Sequence, residues 1–106
     1  MRLISWNVAG RVRSTGAQIR AVLDRDPDLV CLQELRSKTA PEWAEALRGA
    51  GLPHSVNSFG LAPNRESLAG PRRYGELIAC RWRLDPLPQA DFNVPWPEKI
   101  VSAVAA

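Results

Sequence analysis

The chain has 106 residues and a formal net charge of +3, and 45% of its residues are hydrophobic. This composition supports a folded core and argues against disorder, while the length fits one domain. No apolar run approaches the roughly 20 residues of a membrane span, and the mildly basic charge permits an anionic partner without requiring one.

The termini and the cysteines bear on the cellular compartment. Met1 and Arg2 lead directly into strand-like residues, so we expect no signal peptide. Cys31 and Cys80 both lie in apolar runs, which favours buried free thiols in a reducing compartment over a disulfide. We therefore expect a cytoplasmic protein.

The first third of the chain has the pattern of a strand–helix–strand unit. Residues 3–8 alternate between apolar and polar side chains, which predicts a strand. Thr15 and Gln18 have the spacing of a capping box, and the helix that they begin must end before Pro27. A continuous apolar run then predicts a second strand over residues 28–34. A right-handed crossover makes two such strands parallel, so their carboxyl ends meet at one edge of the sheet.

A second helix follows the second strand. We expect it to begin at Thr39 with Glu42 as its capping partner, and Pro41 fits the first turn because no N–H is needed there. Gly49 and Gly51 end the helix.

The remaining elements are shorter. Residues 52–56 predict a short strand, and residues 57–73 predict a long loop rich in Gly, Pro, Asn, Ser and Arg. Residues 74–82 form the third clear strand, residues 85–88 a turn, and residues 100–104 the start of a last strand.

The last strand bears on the extent of the domain. An apolar strand without a partner leaves an exposed edge, and natural proteins usually cover or pair such edges. We therefore expect the natural domain to continue past Ala106.

Two oxygen-bearing side chains end the parallel strands. Glu34 follows a buried run, where a carboxylate is costly unless it is paired or bound to a cation, and Mg²⁺ or Mn²⁺ prefers such oxygen ligands. Asn7 could orient Glu34 or contact the metal or a phosphate. The plainer alternatives are that Glu34 pairs with Arg36 and that Asn7 hydrogen-bonds to its own backbone before Gly10.

Basic side chains follow the same two strand ends. The planar fork of arginine suits phosphate, and we take Arg11 and Arg36 as candidate phosphate ligands, although a solvated loop is the plainer interpretation of each. His54, the single histidine, lies away from this edge, and no nucleophilic triad or glycine-rich phosphate loop is present. The other arginines that could meet a polyanion are Arg13, Arg65, Arg72 and Arg73.

Taken in order, residues 4–10, 27–34 and 74–82 resemble the endonuclease/exonuclease/phosphatase superfamily. The resemblance implies an incomplete α/β fold, the N-terminal part of a four-layered α/β sandwich in which two mixed sheets pack face to face with helices outside. It also implies a single partial domain over residues 1–106. Members of this superfamily hydrolyse phosphate esters in nucleic acids, inositol phosphates or sphingolipids with Mg²⁺ or Mn²⁺.

The resemblance assigns roles to individual positions. Glu34 matches the metal-binding glutamate of the superfamily, and Asn7 matches the asparagine beside it, which makes both catalytic candidates. Arg36 falls where some nucleases carry a basic residue near phosphate. Ala9 departs from the pattern, because several nucleases have an acid at that position.

The later motifs of the superfamily, an Asp-x-Asn pair and a terminal Asp-His pair, are absent from these residues. Since one carboxylate and one amide bind metal weakly and activate no water, we expect no appreciable turnover from this chain alone. The interpretation that we favour is that the chain is the N-terminal portion of a metal-dependent phosphoesterase of the nuclease type. The alternatives are a non-catalytic basic module that binds nucleic acid or a protein, and a truncated, non-functional product.

Overall fold

The computed structural model describes residues 1–61 and 73–105. Within these ranges the chain forms three α-helices and six strands. Two short 3₁₀ helices, Gln89–Asp91 and Pro97–Lys99, precede the last strand. In chain order the main elements are β1 (Leu3–Asn7), α1 (Thr15–Leu23), β2 (Leu29–Leu35), α2 (Ala40–Gly49), β3 (His54–Asn57), α3 (Ser58–Leu61), β4 (Gly75–Cys80), β5 (Leu84–Pro86) and β6 (Ala103–Ala105).

The main sheet has four strands in the order β1-β2-β4-β3. β1 and β2 are parallel, with Asn7 opposite Gln33, whereas β4 runs antiparallel to both of its neighbours. The predicted α/β class is therefore confirmed, with a mixed sheet and helices outside it. The parallel pair brings the carboxyl ends of β1 and β2 to one edge, as the strand–helix–strand pattern predicts.

The core lies between the helices and one face of the sheet. Val30 and Leu32 of β2 and Leu77 of β4 point to this face, and each is at most 1% exposed. Trp43 of α2 is fully buried against the same cluster. The opposite face carries polar or half-buried side chains, and there the Gln33 amide donates to Ser5 Oγ at 3.0 Å.

A β-bulge in β2 decides which side chains reach the core. Gln33 and Glu34 together face the single residue Glu76 of β4. In a regular strand, residue 34 would follow residues 30 and 32 into the core, because side chains alternate between faces. The extra residue reverses this alternation, so Leu35 is fully buried while Glu34 is exposed.

Both predicted helix caps differ from the structure. Ser14 rather than Thr15 precedes α1, and the buried Thr15 hydroxyl donates to the carbonyl of Val12 at 2.8 Å. Thr39 precedes α2 as predicted, but its hydroxyl contacts the Arg36 carbonyl at 3.3 Å instead of a backbone N–H. In each case the hydroxyl bonds a carbonyl of the preceding turn, which competes with capping.

Three predictions for the second half of the chain need correction. Residues 58–61 form α3 instead of a loop, whereas residues 62–72, with Arg65 and Arg72, lie outside the described residues. The expected turn at residues 85–88 begins within β5. The last strand starts at Ala103, and it is not an unpaired edge because β6 pairs antiparallel with β5.

The two cysteines are free, as predicted, with Cys31 half-buried and Cys80 buried. Burial raises the pKa of the Cys31 thiol, and the nearby Glu76 carboxylate raises it further. No helix in residues 1–61 and 73–105 has the length and hydrophobicity of a membrane span.

An ion-pair network lies at the opposite end of the sheet from Asn7 and Glu34. Arg81 Nε lies 2.7 Å from Asp28 Oδ1, and a terminal nitrogen of Arg81 lies 3.0 Å from Asp26 Oδ1. The backbone N–H of Arg2 donates to the other Asp28 oxygen at 2.7 Å. This N–H and the Arg81 guanidinium lower the pKa of the Asp28 carboxyl below its ordinary value of 3.8.

Asp28 should make the stability of the chain depend on acid pH. A pKa that is lower in the folded state contributes stability above the unfolded pKa, and that contribution is lost as the pH falls through the folded value. We expect Asp28→Asn to reduce the free energy of unfolding at neutral pH and to flatten its decline below about pH 4. Urea unfolding at several pH values measures this effect.

Asp85→Asn is the matched control for this prediction. Asp85 also pairs with an arginine, Arg83, at 3.0 Å, but both side chains are more than half exposed, and exposed pairs contribute little. An Asp28→Asn chain whose stability follows the same pH profile as the unsubstituted chain would contradict the prediction.

Candidate metal and phosphate site

The structure brings Asn7 and Glu34 to the same edge of the sheet. Asn7 ends β1 opposite Gln33, and Glu34 is the next residue of β2. Two backbone hydrogen bonds extend the pairing past the strand end: Val8 N–H donates to the Gln33 carbonyl at 2.9 Å, and Gly10 N–H donates to the Glu34 carbonyl at 2.8 Å. The predicted juxtaposition of the two residues is therefore present in the backbone.

The backbone at this edge is strained. Ala9, Gly10 and Glu34 all have positive φ angles, of 56°, 62° and 54°. For the two non-glycine residues this conformation costs about 1–2 kcal/mol each. Strained residues of this kind cluster at functional sites, where the surrounding structure holds them in place. The strain at this edge is therefore consistent with a functional role.

Glu34 is available to bind a ligand. Its side chain is exposed, and it forms no ion pair with another described residue. The alternative in which Glu34 pairs with Arg36 is therefore not realised, because Arg36 bonds elsewhere.

Asn7 makes the local hydrogen bond that the plainer alternative describes. Its Oδ1 accepts from the backbone N–H of Ala9 at 2.9 Å. An amide oxygen has two lone pairs, so this bond leaves Oδ1 able to accept again or to bind a cation. The bond also restricts the orientation of the Asn7 amide.

Arg36 is held against the turn that follows β1. Its Nε donates to the Gly10 carbonyl at 2.9 Å, and its guanidinium lies 5.8 Å from the centre of the Tyr74 ring. The same ring covers Gly10 so closely that an added Cβ would lie 2.5 Å from Tyr74 Cε1. Gly10, Tyr74 and Arg36 thus form one packed unit, in which the terminal nitrogens of Arg36 form no hydrogen bond with another described residue.

The other candidate residues are more dispersed. Arg11 and Arg13 are exposed in the loop after β1, next to Gly10. Arg73 is exposed and precedes β4. His54 lies opposite Cys80, at the other end of the sheet from Glu34, so the single histidine does not belong to this site.

Glu76 was not among the residues that we singled out from the sequence. It lines a depression of about 370 Å³ together with Glu34, and burial raises the pKa of its carboxyl. Its Oε2 accepts a long hydrogen bond of 3.4 Å from Val101 N–H. A charged residue between Gly75 and Leu77 in an apolar strand was the signal that could have identified it.

The donor atoms at this edge fit a hard divalent cation. Glu34 offers a free carboxylate and Asn7 an amide oxygen, and Mg²⁺ commonly takes one or two protein oxygen ligands with water and substrate phosphate completing its coordination. No group of three or more His, Cys, Asp or Glu side chains suited to a metal occurs within residues 1–61 and 73–105.

Comparison with known proteins gives one finding. The family model described as the Endonuclease/Exonuclease/phosphatase family matches residues 4–106, nearly the entire chain. No curated protein and no solved structure matches. The matched range contains both strand ends and every described residue of the site above.

Proposed function

Because the chain belongs to the Endonuclease/Exonuclease/phosphatase family, we propose that Asn7 and Glu34 form a Mg²⁺ or Mn²⁺ site that acts on phosphodiesters, as in nucleases. The observation that carries this proposal is that the backbone pairing brings Asn7 and the exposed Glu34 to the same strand end. The chemistry of the two donor groups supports a magnesium-like ion over a softer metal.

The residues of the chain have distinct roles in this proposal. Glu34 would hold the ion through its carboxylate, and Asn7 would hold it or orient Glu34 through its amide. When bound, the ion supplies positive charge next to a phosphoryl oxygen. Arg36 would contact a phosphate oxygen through its terminal nitrogens, since its Nε is already engaged by the Gly10 carbonyl. Arg11, exposed in the loop after β1, would supply a second phosphate contact.

We also propose that residues 1–106 by themselves turn over phosphodiesters too slowly to measure. Hydrolysis requires an activated water in addition to charge stabilisation. His54, the single histidine, lies at the far end of the sheet, so it is not a general base for this site.

Hydrolysis of bis-p-nitrophenyl phosphate by the purified chain tests these two proposals together. We expect no rate above the buffer in Mg²⁺, in Mn²⁺ or in EDTA. A Mg²⁺-dependent rate that Glu34→Ala abolishes would support the site and contradict the proposed inactivity. Nucleic-acid binding that weakens steeply with salt and gains no affinity when Mg²⁺ is added would favour the non-catalytic binding module instead.

A further inference from the structure

The depression beside Glu34 has an aromatic side as well as a charged one. Tyr74 and Trp96 line it together with Glu34, Glu76 and Lys99. Trp96 is 50% exposed, a large apolar surface to leave in water next to a polar site. Trp96 therefore presents part of its indole to the solvent at the candidate site.

The segment that carries Trp96 is anchored to the sheet. The fully buried Ser58 hydroxyl donates to the Lys99 carbonyl at 3.1 Å and accepts from Glu76 N–H at 2.8 Å. Gln89 Nε2 donates to the Ile100 carbonyl at 2.9 Å. The Ser58 bonds hold the backbone of the turn after Trp96 against β4, so the indole is carried by an anchored turn.

Two cations that could contact the phosphates of a nucleotide lie near the indole, beside the carboxylates of Glu34 and Glu76. Lys99 lines the same depression, and Arg36 lies against Tyr74, which also lines it. A phosphate held near Glu34 and Arg36 would place the rest of its nucleotide within reach of this depression. A volume of about 370 Å³ is within the range of small-ligand pockets.

On this basis, and resting on the phosphodiester function proposed above, we propose that Trp96 stacks on an unpaired base of single-stranded nucleic acid while Lys99 and Arg36 contact its phosphates. Bases in a duplex are already stacked on one another, so an exposed indole receives a base most readily from a single strand. An inositol phosphate has no planar π-face, so it would gain less from this indole than a base does. The depression thus favours nucleic acid among the phosphate esters.

Binding of a short oligothymidylate, compared with an abasic oligomer of equal charge in EDTA, tests the proposal. Stacking on one aromatic side chain strengthens binding by about fivefold to 150-fold per base. We expect the chain to prefer the oligothymidylate by a factor near the lower end of this range, because Trp96 remains half exposed. We expect Trp96→Leu to abolish the preference and Trp96→Phe to retain part of it.

Trp82→Leu is the matched control. Trp82 is 44% exposed but follows β4 at the end opposite Glu34, so its removal should leave the preference unchanged. Circular dichroism of each variant verifies that the fold is retained.

Three results would overturn the proposal: equal affinity for the two oligomers, a preference that survives Trp96→Leu, or no detectable binding of either oligomer. Equal affinity would indicate a ligand recognised by its phosphates alone. The two oligomers are compared without metal, so finding no base preference would not contradict the proposed metal site. Equally, the base preference can be measured even if no metal binds at Glu34.

Discussion

Replacing Gly10 with alanine is expected to lower the free energy of unfolding by about 2–4 kcal/mol. Gly10 has a φ angle of +62°, which costs a residue with a Cβ about 1–2 kcal/mol. The new Cβ would also lie 2.5 Å from Tyr74 Cε1, so the ring must move. Since Tyr74 packs on the guanidinium of Arg36, the displacement should also disturb the candidate phosphate contact. Urea unfolding measures the stability.

Gly49→Ala is the matched control for this prediction. Gly49 ends α2, and a Cβ added there meets no atom within 4 Å, so alanine should leave stability unchanged or raise it by up to about 1 kcal/mol. In a Tyr74→Ala background, Gly10→Ala should lower the free energy of unfolding only by the amount due to backbone strain, because the ring is no longer there to be displaced. A Gly10→Ala chain as stable as Gly49→Ala would show that the Gly10–Tyr74 contact does not constrain the site.

The local patterns of the first third of the chain predict most of its fold. Alternation over residues 3–8 and the apolar run before Glu34 give two strands, and the helical spacing of Ile19 and Val22 gives the helix between them. The parallel pairing follows because a helix separates the strands. The approach of Asn7 and Glu34 could therefore be predicted from sequence.

The bulge at Gln33 and Glu34 could not be predicted in this way. It depends on how β2 pairs with β4, more than 40 residues later in the chain. The apolar run over residues 29–32 gives no indication of which face each side chain takes, because no polar residue within it marks the alternation. The positive φ of Glu34 is a consequence of that pairing and leaves no local sign in the sequence.

The aromatic residues that line the site could not be predicted from the sequence either. Trp43 and Trp96 are the same residue type in different segments, yet Trp43 is fully buried and Trp96 is 50% exposed. The difference arises from tertiary contacts: α2 covers the sheet, whereas Ser58 anchors the turn after Trp96 at its margin. Motif and periodicity locate the strand ends, but the walls of the depression depend on contacts between distant residues.

Glu34→Gln is expected to weaken Mn²⁺ binding more than about 10-fold. The substitution keeps the size of the side chain and removes the charge. Loss of a residue that hydrogen-bonds to a metal ligand already lowers metal affinity by about 10-fold to 100-fold, so loss of the carboxylate ligand itself should lower it at least as much. Because Glu34 is exposed and unpaired with other described residues, the change should leave stability nearly unaltered. Glu45→Gln, an exposed carboxylate on α2, is the matched control and should bind Mn²⁺ like the unsubstituted chain.

Paramagnetic broadening of the backbone amide signals by Mn²⁺ tests the metal site most directly. We predict that the signals of Asn7, Gly10 and Glu34 broaden first, and that Glu34→Gln removes this selective broadening while Glu45→Gln preserves it. Broadening that is uniform over the acidic surface, or that persists at Asn7 and Gly10 in Glu34→Gln, would contradict the assignment of a divalent cation to this edge of the sheet.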